Sequence, residues 1–230
     1  MAARRSGEQL SFEISDTHAG QLPNLRPMRP MTGEAPFDDP DWFFEPWWPG
    51  ASVLLYLHGG RLRVEVEHLA DPLHAFPELE VIGGQFADDG LIVEGALLVL
   101  DEEGRPDTDL LRGRLAAQAA GPGQAAVVAS DLLYERGRPL LSLPFEQRRE
   151  RLARQLTDGP RCVVSRGLRG EGLTLADALA SMGLGEISAR LLSGRYHPGQ
   201  QDEGWLRLPV RETPAAHTRP LLAVLQRLPL

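Results

Sequence analysis

Group-transfer chemistry needs a nucleophile, an acid–base pair or a metal cage, and this chain is poor in all three. It contains no lysine, since all 24 basic residues are arginine. There can be no Schiff base and no phosphoramidate on a lysine nitrogen, although an imidazole can in principle accept a nucleotidyl group. A GC-rich coding bias is enough to replace lysine by arginine, so the absence alone says nothing about function. The single cysteine, Cys162, lies in the apolar stretch Arg161-Cys162-Val163-Val164-Ser165. That setting suits a small buried hydrophobe, and one thiol excludes an internal disulfide or a zinc site built on several thiolates. His58, His68, His74, His197 and His217 are scattered, without metal-ligand spacing or an acidic orienter. No Gly-rich phosphate loop of the P-loop type is present.

The chain of 230 residues is 42% hydrophobic and 24% charged, ordinary for a globular protein with a real core. A net charge of −8 opposes wholesale nucleic-acid binding, which needs cationic surface. The charge is uneven. Residues 1–110 carry 21 acids and 7 arginines, net −14, and residues 111–230 carry 11 acids and 17 arginines, net +6. Only the second half could offer phosphate an electrostatic footprint; an unevenly charged solvated surface is the competing reading. No apolar run reaches about 18 residues, and Met1 to Gly20 is too polar for a signal peptide. The expectation is a cytoplasmic protein with no membrane span.

The elements that must position any site are legible in part. Residues 1–40, rich in Pro, Gly and acids, read as an extended and partly mobile lead-in, residues 41–212 as the folded domain, and residues 213–230 as a tail or short helix. Ala51–Leu57 and Arg61–Glu67 are β-like runs around the turn His58-Gly59-Gly60. Leu91–Leu100 reads as a buried strand. Asp107 or Thr108 can cap a helix to about Ala120, ended by Gly121-Pro122-Gly123, and Ala125–Tyr134 returns as a strand. Pro144 opens a helix to Leu156 whose arginines 148, 149, 151 and 154 read as a solvated face. Strands are expected over 161–165, 186–192 and 204–210, a helix capped by Thr174 to Gly183, and a short helix over 221–228. Strands and helices without strict alternation give an α+β class with mainly antiparallel sheets.

Several segments, in order, resemble the adenylation domain of ATP-dependent DNA ligases, especially the bacterial repair type. Arg29-Pro30-Met31 resembles that domain's opening. Phe44-Glu45-Pro46-Trp47-Trp48-Pro49-Gly50 is similar to its Glu-x-Lys-Trp-Asp-Gly segment. Asp71 with Phe76-Pro77-Glu78-Leu79, Val93-Glu94-Gly95, Leu100-Asp101 with Gly104-Arg105-Pro106, and Asp131-Leu132-Leu133-Tyr134 follow. Leu143-Pro144 with Arg148-Arg149, and Tyr196-His197-Pro198-Gly199 with Trp205-Leu206, complete a series that spans residues 27 to 210.

The resemblance implies an ATP-grasp-like nucleotidyltransferase fold, with two mainly antiparallel sheets flanked by helices around an ATP cleft. It also implies that the cleft has been erased. Trp47 stands where the family has its AMP-accepting lysine, Pro49 where it has aspartate, and Ser52 and Glu67 where it has arginines. Glu94 replaces an aspartate, Ala96 a carboxylate, and Ser130 the aromatic residue against adenine. Gly185 stands at the metal-binding glutamate, Arg190 at a motif lysine, and Arg207 and Pro209 at a Lys-x-Lys pair. Glu186, one residue beyond the lost glutamate on a strand, should face out of the cleft. Indole is no nucleophile, so Trp47 and Trp48 read as packing residues rather than as base-stacking ones.

The degenerate pocket is thus Trp47, Glu94, Ser130, Arg190 and Arg207, with no catalytic residue and no metal ligand. Arg190, Arg195 and Arg207 are candidates for phosphate or DNA contact, with pairing to Glu94 as the alternative for Arg190 and Arg207. No cofactor is expected, because the ATP and magnesium of the family have lost their ligands. The expected function is an inactive ligase-like accessory in DNA repair that binds DNA or repair proteins. The alternatives are a partner-dependent ligase or nucleotidyltransferase with another nucleophile, and an interaction module that binds neither ATP nor DNA.

Overall fold

The computed structural model describes residues 22–210 and 219–230. In chain order the strands are β1 (Arg29–Thr32), β2 (Trp42–Pro46), β3 (Ala51–His58), β4 (Arg61–Val66), β5 (Leu91–Leu100), β6 (Gln124–Glu135), β7 (Arg138–Pro139), β8 (Cys162–Val164), β9 (Leu168–Arg169), β10 (Glu186–Leu191) and β11 (Gln201–Pro209). The helices are α1 (Pro72–Ala75), α2 (Thr108–Ala117), α3 (Phe145–Gln155), α4 (Gly172–Ser181) and α5 (Leu221–Leu225), with a 3-10 segment over Pro77–Gln85.

These elements make two sheets. One runs β1-β11-β10-β2-β9; the other runs β4-β3-β5-β6-β7, with β8 also on β6. All pairings are antiparallel except β1 with β11 and β6 with β8. The class is α+β, with two mainly antiparallel sheets flanked by helices. No helix of the described residues is long and apolar enough to cross a membrane.

Strand alternation divides the interior. On β5, Leu91, Val93, Leu97 and Val99 enter the large core with Val53, Leu55 and Leu57 of β3. The alternate residues Ile92, Glu94, Ala96 and Leu98 take the other face. A second core joins the sheets, with Phe44, Ile187, Ala189 and Leu208 of the first against Leu98, Ala126 and Val128 of the second. Leu221, Val224, Leu225 and Leu228, around α5, close the same core.

Several expectations shift. Residues 29–32, assigned to the lead-in, form a strand paired with β11, so ordered structure begins before Asp41. Residues 1–21 and 211–218, including His217, lie outside the described residues. Asp107 does cap α2, accepting from the N–H groups of Asp109 (2.8 Å) and Leu110 (2.9 Å). That helix ends earlier than expected, at Gln118 in the left-handed conformation. Helix α4 begins after Glu171, which places Thr174 inside it. The largest change concerns α3: Arg148 is 1% and Arg149 8% exposed, so two of its four arginines are interior groups.

Candidate functional site: a filled cleft between the sheets

A bulge in β6 builds the centre of this site. Glu94 pairs with Asp131 and Gly95 with Ala129, which leaves Ser130 as an extra residue. The extra residue changes the facing of the strand, so Asp131 joins Glu94 in the interior rather than pointing into the helix-side core. Gly95 is required here, because a Cβ would lie 2.4 Å from the Val128 carbonyl oxygen. Two arginines converge on Asp131. Arg148 from α3 binds it twice, Nε to Oδ1 at 2.9 Å and Nη2 to Oδ2 at 2.8 Å. Arg190 from β10 donates to Oδ2 at 2.6 Å. Arg148 also donates to the carbonyls of Leu143 (2.5 Å) and Gly194 (3.1 Å), so its donors are nearly saturated.

Around this centre the pairing is looser. Glu94 accepts from the Tyr196 hydroxyl at 2.8 Å, and its other oxygen lies 3.6 Å from Arg190. Glu45 stands 3.6 Å from Arg149, which donates to the Ser165 carbonyl at 2.7 Å. Trp205 donates its indole N–H to Ser188 at 3.0 Å. Burial pushes the Glu94 carboxyl up to about 7, against the pull of Arg190. Burial also raises Glu45, with Arg149 opposing. Burial lowers Arg149, with the Glu45 carboxylate opposing. For Arg190, burial pulls down and Asp131, Glu94 and Glu45 together hold the group above its ordinary value. Among the described residues three acids face three arginines, Asp131 at hydrogen-bond distance and Glu45 and Glu94 at 3.6 Å, where Nη1 of Arg149 and of Arg190 make no hydrogen bond.

Trp47 stands at the rim of this network. Its ring packs 6.2 Å from Trp205, and the Arg207 guanidinium lies 4.8 Å from its centroid. The space left behind it is a cavity of about 80 Å3 lined by Glu45, Trp48, Glu94, Ser130, Ser165 and Ser188 among others. Pockets for drug-sized ligands run to roughly 300–1,000 Å3. The space behind Trp47 is thus too small for ATP and its arginines face acids of the cleft, while a wider groove of about 1050 Å3 opens on the other side of Trp47, Ser52 and Trp205. Among the described residues no group of three or more His, Cys, Asp or Glu side chains could hold a metal ion.

The structure gathers Trp47, Glu94, Ser130, Arg190 and Arg207 around the cleft but assigns them unlike tasks. Arg190 is 1% exposed and bound to Asp131, which corrects its assignment as a phosphate or DNA contact: a buried, paired guanidinium cannot reach a backbone. Arg207 pairs with Glu186 rather than Glu94. Glu186 itself shares a strand face with Ser188 and Arg190, so it lies at the mouth of the cleft and not turned away from it. Arg195 is exposed on the loop between β10 and β11. His197 does have an acidic neighbour, Asp202 at 3.5 Å, yet neither lines the cavity. Asp131, Arg148, Arg149, Glu45 and Tyr196 were missed as site residues. All five lie in segments that carry the resemblance, but their partners stand far off in sequence, up to 168 residues for Tyr196 and Met28, so which side chains meet has no local pattern.

No family model matches the chain. The multifunctional non-homologous end joining DNA repair protein LigD of Mycobacterium tuberculosis is 26% identical over 193 residues, 84% of this chain and 25% of its own length. A probable DNA ligase of Streptomyces avermitilis is 31% identical over 170 residues, 69% of this chain and 33% of its own. The chain thus spans about a quarter to a third of the length of these curated relatives. The solved structure of mycobacterial DNA ligase D complexed with ATP and MES superposes with a TM-score of 0.69 at 26% identity, covering 80% of this chain and 60% of that one. On sequence and fold together, the chain is a homologue of the adenylation domains of ATP-dependent DNA ligases, built on the same nucleotidyltransferase scaffold.

Proposed function

We propose that this chain is a ligase-like protein of DNA repair that transfers no nucleotidyl group and acts by binding DNA or repair proteins through the inherited fold. The observation that carries the reading is Trp47, an indole at the acceptor position, closing a cavity of about 80 Å3. Adenylation needs a nitrogen nucleophile aimed at the α-phosphate, cations around the triphosphate and carboxylates for magnesium. Here the cleft's own cations, Arg148, Arg149 and Arg190, each lie within ion-pair distance of Asp131, Glu45 or Glu94. The repair setting rests on the likeness to LigD, and Arg195 and Arg207 are the cations of this region nearest to solvent.

The test has two arms. Incubation of the full chain with labelled ATP and magnesium should leave no label after denaturation, and a covalent label would overturn the inactive reading. Fluorescence anisotropy against nicked and blunt duplexes should give salt-sensitive binding at micromolar protein. No binding to either duplex would remove the DNA part, and co-purification that resists nuclease would then identify a protein partner.

A further inference from the structure

Strand β4 ends its sheet, and among the described residues no other strand pairs with its outer edge. It is joined to β3 by the two-residue turn Gly59-Gly60, with φ of +60° and +70°. In such a hairpin the closing pair, His58 and Arg61, is hydrogen-bonded. The backbone groups of Arg61, Arg63 and Glu65 therefore turn to β3, and those of Leu62, Val64 and Val66 turn outward. Among the described residues the outward groups of Leu62 and Val64 make no backbone hydrogen bond, while Val66 bridges to Leu69, whose N–H donates to the Val66 carbonyl at 3.2 Å. A groove of about 1050 Å3, lined by every residue from Leu62 to Glu67, continues past Leu54 to Trp47 and Trp205 of the cleft. Unpaired strand edges of this kind invite another strand.

The side chains say which strand. Val64 and Val66 are buried in the large core, Arg61, Arg63 and Glu67 are exposed, and Glu65 is half-buried. Read as Arg61-Leu62-Arg63-Val64-Glu65-Val66-Glu67, the segment reverses its charges about Val64. Two copies laid antiparallel across a two-fold axis at Val64 place Arg61 opposite Glu67, Arg63 opposite Glu65, Leu62 opposite Val66 and Val64 opposite itself. A slip of two residues either way sets Arg63 against Arg63 or Glu65 against Glu65, and a slip of one turns apolar side chains to the charged face. One register alone is free of like-charge contact.

We infer that β4 is the docking strand for a second copy of this chain, paired antiparallel about Val64 so that the two sheets become one. The interface is isologous, as a two-fold axis requires. The present pair of Arg29 with Glu67 is solvent-exposed and exchanges partners at little cost, whereas Arg63 and half-buried Glu65 also meet Tyr56, which the exchange must leave in place. A single strand seam lies at the small end of specific interfaces, so association belongs at roughly micromolar protein.

Sedimentation of the full chain up to about 100 µM, a range set by that weak association, is expected to shift from the 25.3 kDa monomer to twice that mass. Val64→Pro removes an outward N–H and leaves the ladder to β3 intact, and it should abolish the shift. Because Val64 is 4% exposed and its loss could unfold the chain, charge variants supply a second measurement. Arg61→Glu with Arg63→Glu, and Glu65→Arg with Glu67→Arg, should each give monomers, and an equal mixture of the two should dimerise. A wild type that stays monomeric at about 100 µM, the top of that same range, overturns the inference. So does a dimer that survives either double reversal, or a folded mixture that fails to associate.

Discussion

Glu94 is where one side chain exposes the state of the whole cleft. Its carboxyl is 2% exposed, bonded to Tyr196 and loosely faced by Arg190, and burial raises it to about 7. An acid whose pKa is higher folded than unfolded stabilises the fold in full below the unfolded value of 4.5, and loses that contribution as pH rises through about 7. Between those limits the unfolded chain releases a proton that the folded one keeps, so stability should fall by roughly 3 kcal/mol and then level off. Glu94→Gln mimics the protonated group and should remove this slope. Denaturant unfolding of both proteins at pH 5 and pH 7.5 measures the difference, in which Glu45, raised in the same direction, cancels. Equal slopes would mean that water or Arg190 already stabilises the charged form. The resemblance named Glu94 as a pocket residue and its pairing with Arg190 as an alternative, but the apolar run around it reads only as a buried strand and carries no sign of Tyr196 as its hydrogen-bond partner.

Helix α3 carries the same lesson to the scale of an element. Its apolar stripe, Phe145, Leu152 and Leu156, was legible, as were the β3–β4 hairpin, β5, β6 and the Asp107 cap, because periodicity and turn residues are local. Its arginines were not, because an arginine on a helix reads as surface until a buried acid from elsewhere claims it. The bulge at Ser130 aims Asp131 inward, and Arg148, 17 residues further on, meets it. Short β2 and β9 were likewise illegible, since each owes its existence to neighbours across the sheet. The two kinds of arginine on one helix predict opposite outcomes. Arg148→Ala leaves Asp131 buried with one cation fewer and frees two carbonyls, and should cost about 3–5 kcal/mol. Arg154→Ala, on the exposed side, should change stability by less than about 0.5 kcal/mol. Thermal and urea unfolding of the two variants side by side decides it; equal effects would contradict the interior role of Arg148.

Across the whole molecule, the departures from the ligase pattern that the sequence resemblance implies are spread through both sheets. Trp47, Pro49 and Ser52 lie at the join of β2 and β3, Glu67 follows β4, Ala96 is on β5, Ser130 on β6, Gly185 precedes β10, and Pro209 ends β11. The charge asymmetry of the sequence does not separate in space either: β3 to β5 come from the acidic half and β6 to β8 from the basic half, yet they share one sheet. Loss distributed in this way should not be reversed at one position. Trp47→Lys returns the amine but places it beside Arg207 and removes the indole packed on Trp205. It supplies no carboxylate at position 96 or 185 and releases none of the arginines held by Asp131, Glu45 and Glu94. Under labelled ATP and magnesium the variant should remain unlabelled, with its melting temperature lowered by loss of the aromatic contact. A labelled variant would mean that the scaffold still aims an α-phosphate at position 47, and the whole distance from a working ligase would then reduce to one side chain.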